Sequence, residues 1–239
     1  ANGEGVDRDL KVAVKWWQLA AEQGNAVAQR NLGIAYADGD GTDRDYNEAA
    51  KWYRLAAEQG DFSAQRHLGH SYFYGEGVIQ DYKEAIKWYR LAAKQGDASA
   101  RDGLGYMHYF GHGVDQDYKE AVKWWLLAAE QGNARAQYNL GVVNRNGEGV
   151  IQDYKEAIKW FLLSAKQGYS NAQYNLGSMY SDEQGVAKDY KTAHMWYNIA
   201  AANGHEDAGE GRDDVALEMT SEDISKAQEM AREWVENNP

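Results

Sequence analysis

The apolar positions of this chain recur at helical spacing, in blocks that repeat every 36 residues. Ala28, Leu32 and Tyr36 follow the spacing i, i+4, i+8, which places their side chains on one face of an α-helix. Gly33 lies beside Leu32, although a glycine inside a helix costs about 1 kcal/mol relative to alanine. Because the glycine recurs in each copy, we expect a close approach between helices there. This helix, helix A, is predicted over residues 26–36.

A second helix in each block, helix B, has an apolar face of its own. Its predicted core face consists of Ala49, Trp52 and Ala56. Tyr53 and Leu55 lie beside that face. Small alanines alternating with a large tryptophan suit the interlocked packing of neighbouring units.

Start and stop signals delimit the two helices. A Gly-x-Gly pair, as at Gly39 and Gly41, ends helix A and turns the chain. Asp45, with Glu48 three residues later, has the pattern of a capping box at the start of helix B. Gly60 is predicted to close that helix. The pattern therefore predicts helix–turn–helix units.

The repeat is kept by several residue types at once. The periodic tryptophans are Trp16, Trp52, Trp88, Trp124, Trp160 and Trp196. Leu-Gly pairs keep the same period at Leu32, Leu68, Leu104, Leu140 and Leu176. Units of this size cannot bury their faces alone, so they stack and share a continuous core. The sequence predicts an all-α solenoid of helix–turn–helix repeats.

Three regions are predicted along the chain. Residues 1–24 read as the second helix of a truncated leading repeat, and residues 25–204 as five full repeats. Residues 205–239 hold 11 acidic and 3 basic residues and are predicted to form acidic C-terminal capping helices. A partner-binding tail is the alternative for this last region. An acidic cap favours a monomer.

Composition excludes several classes of site. The net charge of −12 argues against nucleic acid as a partner, because phosphate binding needs clustered lysine and arginine. Cysteine is absent, so the chain has no disulfide, zinc-thiolate site or thiol nucleophile. No apolar run reaches the roughly 18 residues of a membrane span. The chain starts at Ala1, inside a repeat, so we expect a truncated N-terminus, and the compartment is not defined.

Several segments together resemble the Sel-one-like repeat (SLR) family, a relative of the tetratricopeptide repeats. The matching segments are 136–141 (AQYNLG), 147–150 (GEGV), 153–160 (DYKEAIKW) and 165–168 (AKQG). The resemblance covers essentially residues 1–204, and the segment from Arg212 to Trp234 looks like the C-terminal cap of bacterial members.

This resemblance implies a right-handed superhelix whose helix A residues line a concave groove. Members act as adaptors, and some bacterial members look like immunity proteins that sequester a secreted phospholipase toxin. A branch with disulfide-stapled repeats does not fit, because this chain has no cysteine. The repeat pattern carries no family active site and no cofactor. The resemblance therefore implies a non-catalytic protein-interaction module.

Positions that vary between copies are the candidates for partner binding. They lie on helix A at the spacing i, i+4, i+7 and at the position after it, and the central copies are rich in aromatic residues there. Aromatic and arginine side chains dominate binding hot spots. The candidate residues are Arg66, His70, Phe73, Tyr74, Tyr106, Tyr109, Phe110, Tyr138, Val142 and Arg145. The alternative is that some of them, Phe73 and Phe110 above all, pack between repeats.

Catalytic and metal chemistry are weakly signalled. The glycine loops could suggest phosphate binding, but they recur once per repeat. Turns between helices explain every copy. The histidines at 67, 70, 108 and 112 have spacings that can hold zinc, but His108 stands at the framework position of Tyr36 and is expected to face the core. The sequence therefore predicts no enzyme and no metal site, and favours a protein or peptide ligand. Toxin immunity and glycan or cell-wall recognition are the alternatives.

Overall fold

A computed structural model describes residues 9–238, and all regular structure among them is helical. The thirteen helices are α1 (Leu10–Glu22), α2 (Ala26–Asp38), α3 (Tyr46–Glu58), α4 (Phe62–Tyr74), α5 (Tyr82–Lys94), α6 (Ala98–Phe110), α7 (Tyr118–Ala129), α8 (Ala134–Asn146), α9 (Tyr154–Ala165), α10 (Ser170–Ser181), α11 (Tyr190–Ala202), α12 (Ala208–Ala216) and α13 (Ser221–Asn237). They form a helical solenoid of repeated helix pairs, which confirms the predicted fold class.

The chain divides into two compact units, Ala1–Gln116 and Asp117–Pro239. In the first unit, each helix from α1 to α6 packs against the next along the chain. In the second unit, the same holds from α7 to α12, and α13 packs back on α11. Within each unit, consecutive helices therefore bury their apolar faces against one another.

The glycine inside helix A makes room for an aromatic ring. A Cβ atom built on Gly33 would lie 2.6 Å from Cδ1 and Cε1 of Tyr53, and one on Gly141 would lie 2.5 Å from the ring of Phe161. Gly69 meets Tyr89 in the same way. The expected close approach is therefore present, and it joins a backbone of helix A to a ring of helix B.

In α3, α5, α7 and α9, the deepest ring of helix B lies one residue after the periodic tryptophan. Tyr53 is 4% exposed and Phe161 is fully buried, whereas Trp16 is 68% exposed. Trp52 is buried at 8%, as expected, but Leu55 is 38% exposed and faces out. The reason is the glycine contact, which fixes the rotation of helix B so that the residue after the tryptophan faces helix A.

Half of each predicted capping box is present. The carboxylate of Asp45 accepts hydrogen bonds from the backbone N–H groups of Asn47 and Glu48, at 2.9 and 3.1 Å. The backbone N–H of Asp45 donates to the carbonyl of Tyr36 and not to Glu48. Glu48 instead pairs with Lys51 at 3.2 Å. A loop-to-helix bond therefore replaces the reciprocal half of the box.

Two polar ties recur along the solenoid. The Gln59 side chain donates to Oε1 of Gln29 at 2.7 Å, and Gln95 donates to Gln65 at 2.9 Å. Arg30 pairs with Asp61, the N-cap residue of α4, at 2.9 Å. The glutamine pairs thus join helix A to helix B of the same repeat, and the ion pair joins helix A to the next repeat.

Helix α13 lies against the last repeat. Ala227 and Ala231 are buried, and the rings of Trp196 and Trp234 are 5.0 Å apart in an edge-on arrangement. The apolar stripe of this otherwise acidic helix faces α11. Its polar side is left at the surface.

Candidate binding surface

Eight side chains of the first unit form one continuous set of ring contacts, which we call the ring cluster. Its members are His70, Phe73, Tyr74, Tyr82, Tyr106, Tyr109, Phe110 and His112. The last turns of α4 and α6 supply six of them, because the variable positions of helix A fall there. Tyr82 begins α5, and His112 lies in the loop after α6.

Phe73 is the centre of the cluster. Its ring centroid lies 5.8 Å from Tyr106 and 5.8 Å from His112, both in the next repeat. The same ring lies 4.7 Å from Tyr74 and 5.4 Å from Tyr82. Phe73 is half-buried, so it packs between repeats, as the alternative for this residue predicts.

Four rings of the cluster remain open to solvent: His70, whose side chain is 52% exposed, and three larger rings. Tyr74 is 56% exposed, Phe110 is 50% exposed and Tyr106 is 37% exposed. Tyr106 and Phe110 lie 4.5 Å apart on one face of α6, and Tyr109 touches Phe110 at 4.8 Å. The contacts hold the rings in place while leaving apolar area uncovered. Phe110 is thus mainly a surface ring.

Arg66 lies away from the rings and ties two repeats together. Its Nε lies 3.4 Å from the carboxylate of Asp97, the N-cap residue of α6. The equivalent pair one repeat earlier is Arg30 with Asp61. This arrangement gives Arg66 a role in the repeat framework, whereas the sequence pattern proposes it as a binding residue.

The three candidates of the second unit are tied into its own packing. Tyr138 and Val142 lie against the hydrophobic core that contains Phe161. Burial, and next the nearby Tyr169, raise the pKa of the Tyr138 hydroxyl. Arg145 donates a short hydrogen bond to Oδ1 of Asn175. Within the second unit, these residues therefore serve packing between neighbouring repeats.

The variable stripe of helix A does not include two members of the ring cluster, Tyr82 and His112. Tyr82 belongs to the framework, since a tyrosine follows the N-cap aspartate in each copy. His112 does carry a signal, because it stands between two loop glycines where other copies have Asp40, Glu76 and Glu148. Its ring stacks on Tyr82 at 4.8 Å.

A cavity of about 270 Å³ lies in the first unit, next to the ring cluster. Its walls come from the end of α2, the face of α3 and the middle of α4. Its polar and ring-bearing lining includes Asp38, Tyr53, His67, His70, Ser71 and Glu76. His70 belongs to both features, since its ring lies 4.4 Å from Tyr74.

The cavity side chains are arranged around a buried tyrosine. The rings of Tyr53 and His67 stack at 4.9 Å with an interplanar angle of 11°. Burial, and then the positive charge of Arg66, lower the pKa of His67 to about 3, so this imidazole is neutral at pH 7. Burial, and next the carboxylate of Asp38, raise the pKa of the Tyr53 hydroxyl. Nδ1 of His70 lies 3.5 Å from the carboxylate of Glu76.

A larger cavity, of about 570 Å³, lies in the second unit beside α12. It has five carboxylates and the tyrosines at 174, 190 and 197 in its walls. Lys188 lies there too, with its ammonium over the Tyr190 ring at 5.3 Å. The tail thus contributes acidic side chains to a concave surface as well as covering the last repeat.

The Sel1 repeat profile matches the chain at residues 1–25, 26–61, 62–97, 98–133, 134–169 and 170–205. The chain belongs to the Sel1 repeat family. A solved Sel1 repeat protein from Oxalobacter formigenes is 34% identical to it, with 88% of each chain covered and a TM-score of 0.76. This family is a non-catalytic repeat scaffold, and its members generally mediate protein interactions.

Two immunity proteins from Pseudomonas aeruginosa share the fold of this Sel1 repeat protein. Each is 21% identical to it with a TM-score of 0.56. One is matched over 83% of this chain and 76% of its own, the other over 89% and 82%. Comparison with curated proteins gave no significant match.

Histidines of the Sel1 repeats are engaged with neighbouring rings. His67 stacks on Tyr53 and His112 on Tyr82. His108 is buried at 8%, as its framework position predicts. Residues 9–238 contain no group of three or more histidines and carboxylates placed to hold a metal ion. Over the same residues, no helix is both long enough and apolar enough to span a membrane.

Proposed function

We propose that this Sel1 repeat protein is a binding module whose ring cluster holds a peptide or a surface segment of a partner protein. One observation carries the proposal: Tyr74, Tyr106 and Phe110 present exposed rings side by side on a surface that their neighbours hold rigid. Rings fixed by mutual contact lose little conformational entropy when a partner covers them.

The chemistry of these side chains supports a protein ligand. Aromatic residues supply large apolar area at interfaces, and tyrosine adds a hydroxyl for hydrogen bonding. The rings of Tyr106 and Phe110 are tilted by 45° and those of Tyr109 and Phe110 by 76°. Such edges and faces form clefts for side chains. A flat stacking platform, which suits sugar rings, is not formed by these pairs.

The test is affinity capture followed by direct binding. Wild-type protein and the variant Tyr74→Ala/Tyr106→Ala/Phe110→Ala are used to capture proteins from lysate of the source organism. A matched control, Phe62→Ala/Ile151→Ala/Leu217→Ala, removes three exposed apolar side chains outside the ring cluster. Circular dichroism first establishes that all three proteins are equally helical.

A partner of the ring cluster is retained by wild type and by the control and is lost by the ring variant. Titration of the purified partner then gives at least a tenfold weaker affinity for the ring variant, or about 1.4 kcal/mol. Equal affinity for all three proteins would place the binding surface elsewhere on the molecule.

The immunity function is a narrower form of the same proposal. It predicts that the captured partner is a toxin and that the Sel1 repeat protein inhibits its activity. The fold shared with the two immunity proteins motivates this test, although a likeness at 21% identity shows the fold alone. A glycan ligand would be favoured instead if wild type and the control variant bind isolated cell wall and the ring variant does not.

A further inference from the structure

The cavity beside the ring cluster has the size of one side chain. Its volume of about 270 Å³ is below the roughly 300–1,000 Å³ of pockets that hold whole small molecules. It opens next to His70, whose ring also touches Tyr74 of the ring cluster. A peptide lying on the ring cluster can therefore send a neighbouring side chain into this cavity.

A tyrosine lies in the wall of the cavity. Tyr53 is 4% exposed and lines the cavity. Its hydroxyl oxygen is not one of the fully enclosed side-chain atoms of residues 9–238 that lack a hydrogen bond, so water or a ligand in the cavity can reach it. A tyrosine hydroxyl can both donate and accept a hydrogen bond, so it can bond to a ligand or to water that a ligand displaces.

The charge in the cavity is negative. Asp38 and Glu76 both line it, and after burial, the larger cause, their carboxylates add to the raised pKa of Tyr53. Glu76 has His70 beside it, and Asp38 has no ion pair among residues 9–238. Two carboxylates at the mouth of a small cavity attract a cation.

The neighbouring cations are engaged elsewhere. Arg30 pairs with Asp61 at 2.9 Å, and Arg66 pairs with Asp97 at 3.4 Å. Arg44 donates to the backbone carbonyl of Asp38, at 3.3 Å, and not to its carboxylate. His67 is neutral near pH 7. The wall of the cavity therefore contains no cation that neutralises Asp38.

We propose that this cavity binds the side chain of an arginine or lysine from an extended peptide segment of the partner, with Asp38 and Glu76 as its counter-ions and the Tyr53 hydroxyl as a hydrogen-bond acceptor. The inference rests on the proposed function, since the same peptide covers the ring cluster. It specifies the partner as a basic segment with an apolar or aromatic residue close to the cation. An arginine fits best, because its planar group can bond a carboxylate twice and lie against the His70 ring.

The test uses selection from a random dodecapeptide display library at pH 8, well above the ordinary pKa of histidine of about 6.5. Three proteins are compared: wild type, Asp38→Asn/Glu76→Gln, and the control Glu58→Gln/Glu130→Gln, which changes the net charge equally at two exposed residues at the C-terminal ends of α3 and α7. The best peptide is then synthesised with arginine and with citrulline, its uncharged isostere, and titrated by calorimetry.

The proposal predicts arginine or lysine at one fixed position in peptides selected on wild type and on the control. Replacing that arginine by citrulline weakens binding to wild type by at least about tenfold, and binding to Asp38→Asn/Glu76→Gln by less than about twofold. Equal affinities of the two peptides for wild type would overturn the cation site and leave the ring cluster as a binding surface. If Tyr74→Ala/Tyr106→Ala/Phe110→Ala selects the same peptides with equal affinity, or if no protein selects any peptide, the proposed function fails, and this inference with it.

Discussion

Phe161 occupies the space beside the α-carbon of Gly141. A Cβ atom on Gly141 would lie 2.5 Å from Cδ1 and Cε1 of that fully buried ring. The same relationship joins Gly33 to Tyr53 in the first unit and Gly177 to Tyr197 in the second. A repeated glycine inside a helix is thus matched by a repeated ring on the next helix.

Gly141→Ala is expected to destabilise the protein. Crowding a packed core costs about 1–3 kcal/mol, which exceeds the roughly 1 kcal/mol that alanine gains over glycine in a helix. Gly209→Ala is the matched control, because this helical glycine has no atom within 4 Å of the added Cβ. We expect urea unfolding to show a lower midpoint for Gly141→Ala and an unchanged or higher one for Gly209→Ala. A stabilised Gly141→Ala would show that the ring can move.

Asp61 has two roles that substitution separates. One carboxylate oxygen caps α4 through the N–H of Ala64 at 2.8 Å, and the other pairs with Arg30. Asn keeps the cap, as Asn25 and Asn133 do in other copies. Asp61→Asn should therefore cost less than about 1 kcal/mol and Asp61→Ala about 1–2 kcal/mol more, measured by urea unfolding. Equal losses would assign the stabilisation to the ion pair.

The buried Gln65 is expected to matter more than its exposed partner. Its amide donates to the carbonyl of Ala57 at 3.1 Å and its oxygen accepts from Gln95 at 2.9 Å. Gln65→Leu removes both bonds, while the Ala57 carbonyl keeps the backbone N–H of Gly60 at 3.0 Å, so we expect a loss of about 1–2 kcal/mol. Gln95→Leu should cost less than about 1 kcal/mol, because the Gln95 side chain is itself exposed and leaves the bond of Gln65 to Ala57 in place. Thermal unfolding of both variants checks the ranking.

His67 should make the protein less stable in mild acid. Its pKa is lowered from 6.5 to about 3 in the folded state, so below pH 6.5 the unfolded state binds the proton more readily. The neutral imidazole therefore stabilises the fold above pH 6.5, and this contribution is lost as the pH falls from 6.5 towards 3. At pH 5 the loss is about 2 kcal/mol.

The comparison for this prediction is His67→Asn, because asparagine stands at the equivalent positions 31, 139 and 175. The free energy of unfolding is measured at pH 7.5 and pH 5 for both proteins. The wild type should lose about 2 kcal/mol more than the variant between these values. Parallel losses would mean that His67 titrates normally.

Much of the candidate site follows from the pattern along helix A. Variable positions on one helix face predict His70, Phe73, Tyr74, Tyr106, Tyr109 and Phe110, and the structure brings these rings together. The pattern does not separate Arg66 from them, because its partner Asp97 is 31 residues away in sequence and adjacent only after the repeats stack. The pattern does not identify Tyr82 as a member of the ring cluster for the same reason. Tyr82 is a framework residue, and only the fold brings its ring next to Phe73.

The sequence by itself determined the helices, their caps and the solenoid, because these depend on local spacing that recurs every 36 residues. Tertiary structure alone decided which ring of helix B fills the glycine gap, since the rotation of one helix against another is set by contacts such as that of Gly33 with Tyr53. It also decided that the Asp38 and Glu76 carboxylates share a cavity with a buried tyrosine. Those residues come from consecutive repeats, and only the packing of α2, α3 and α4 brings them to one place.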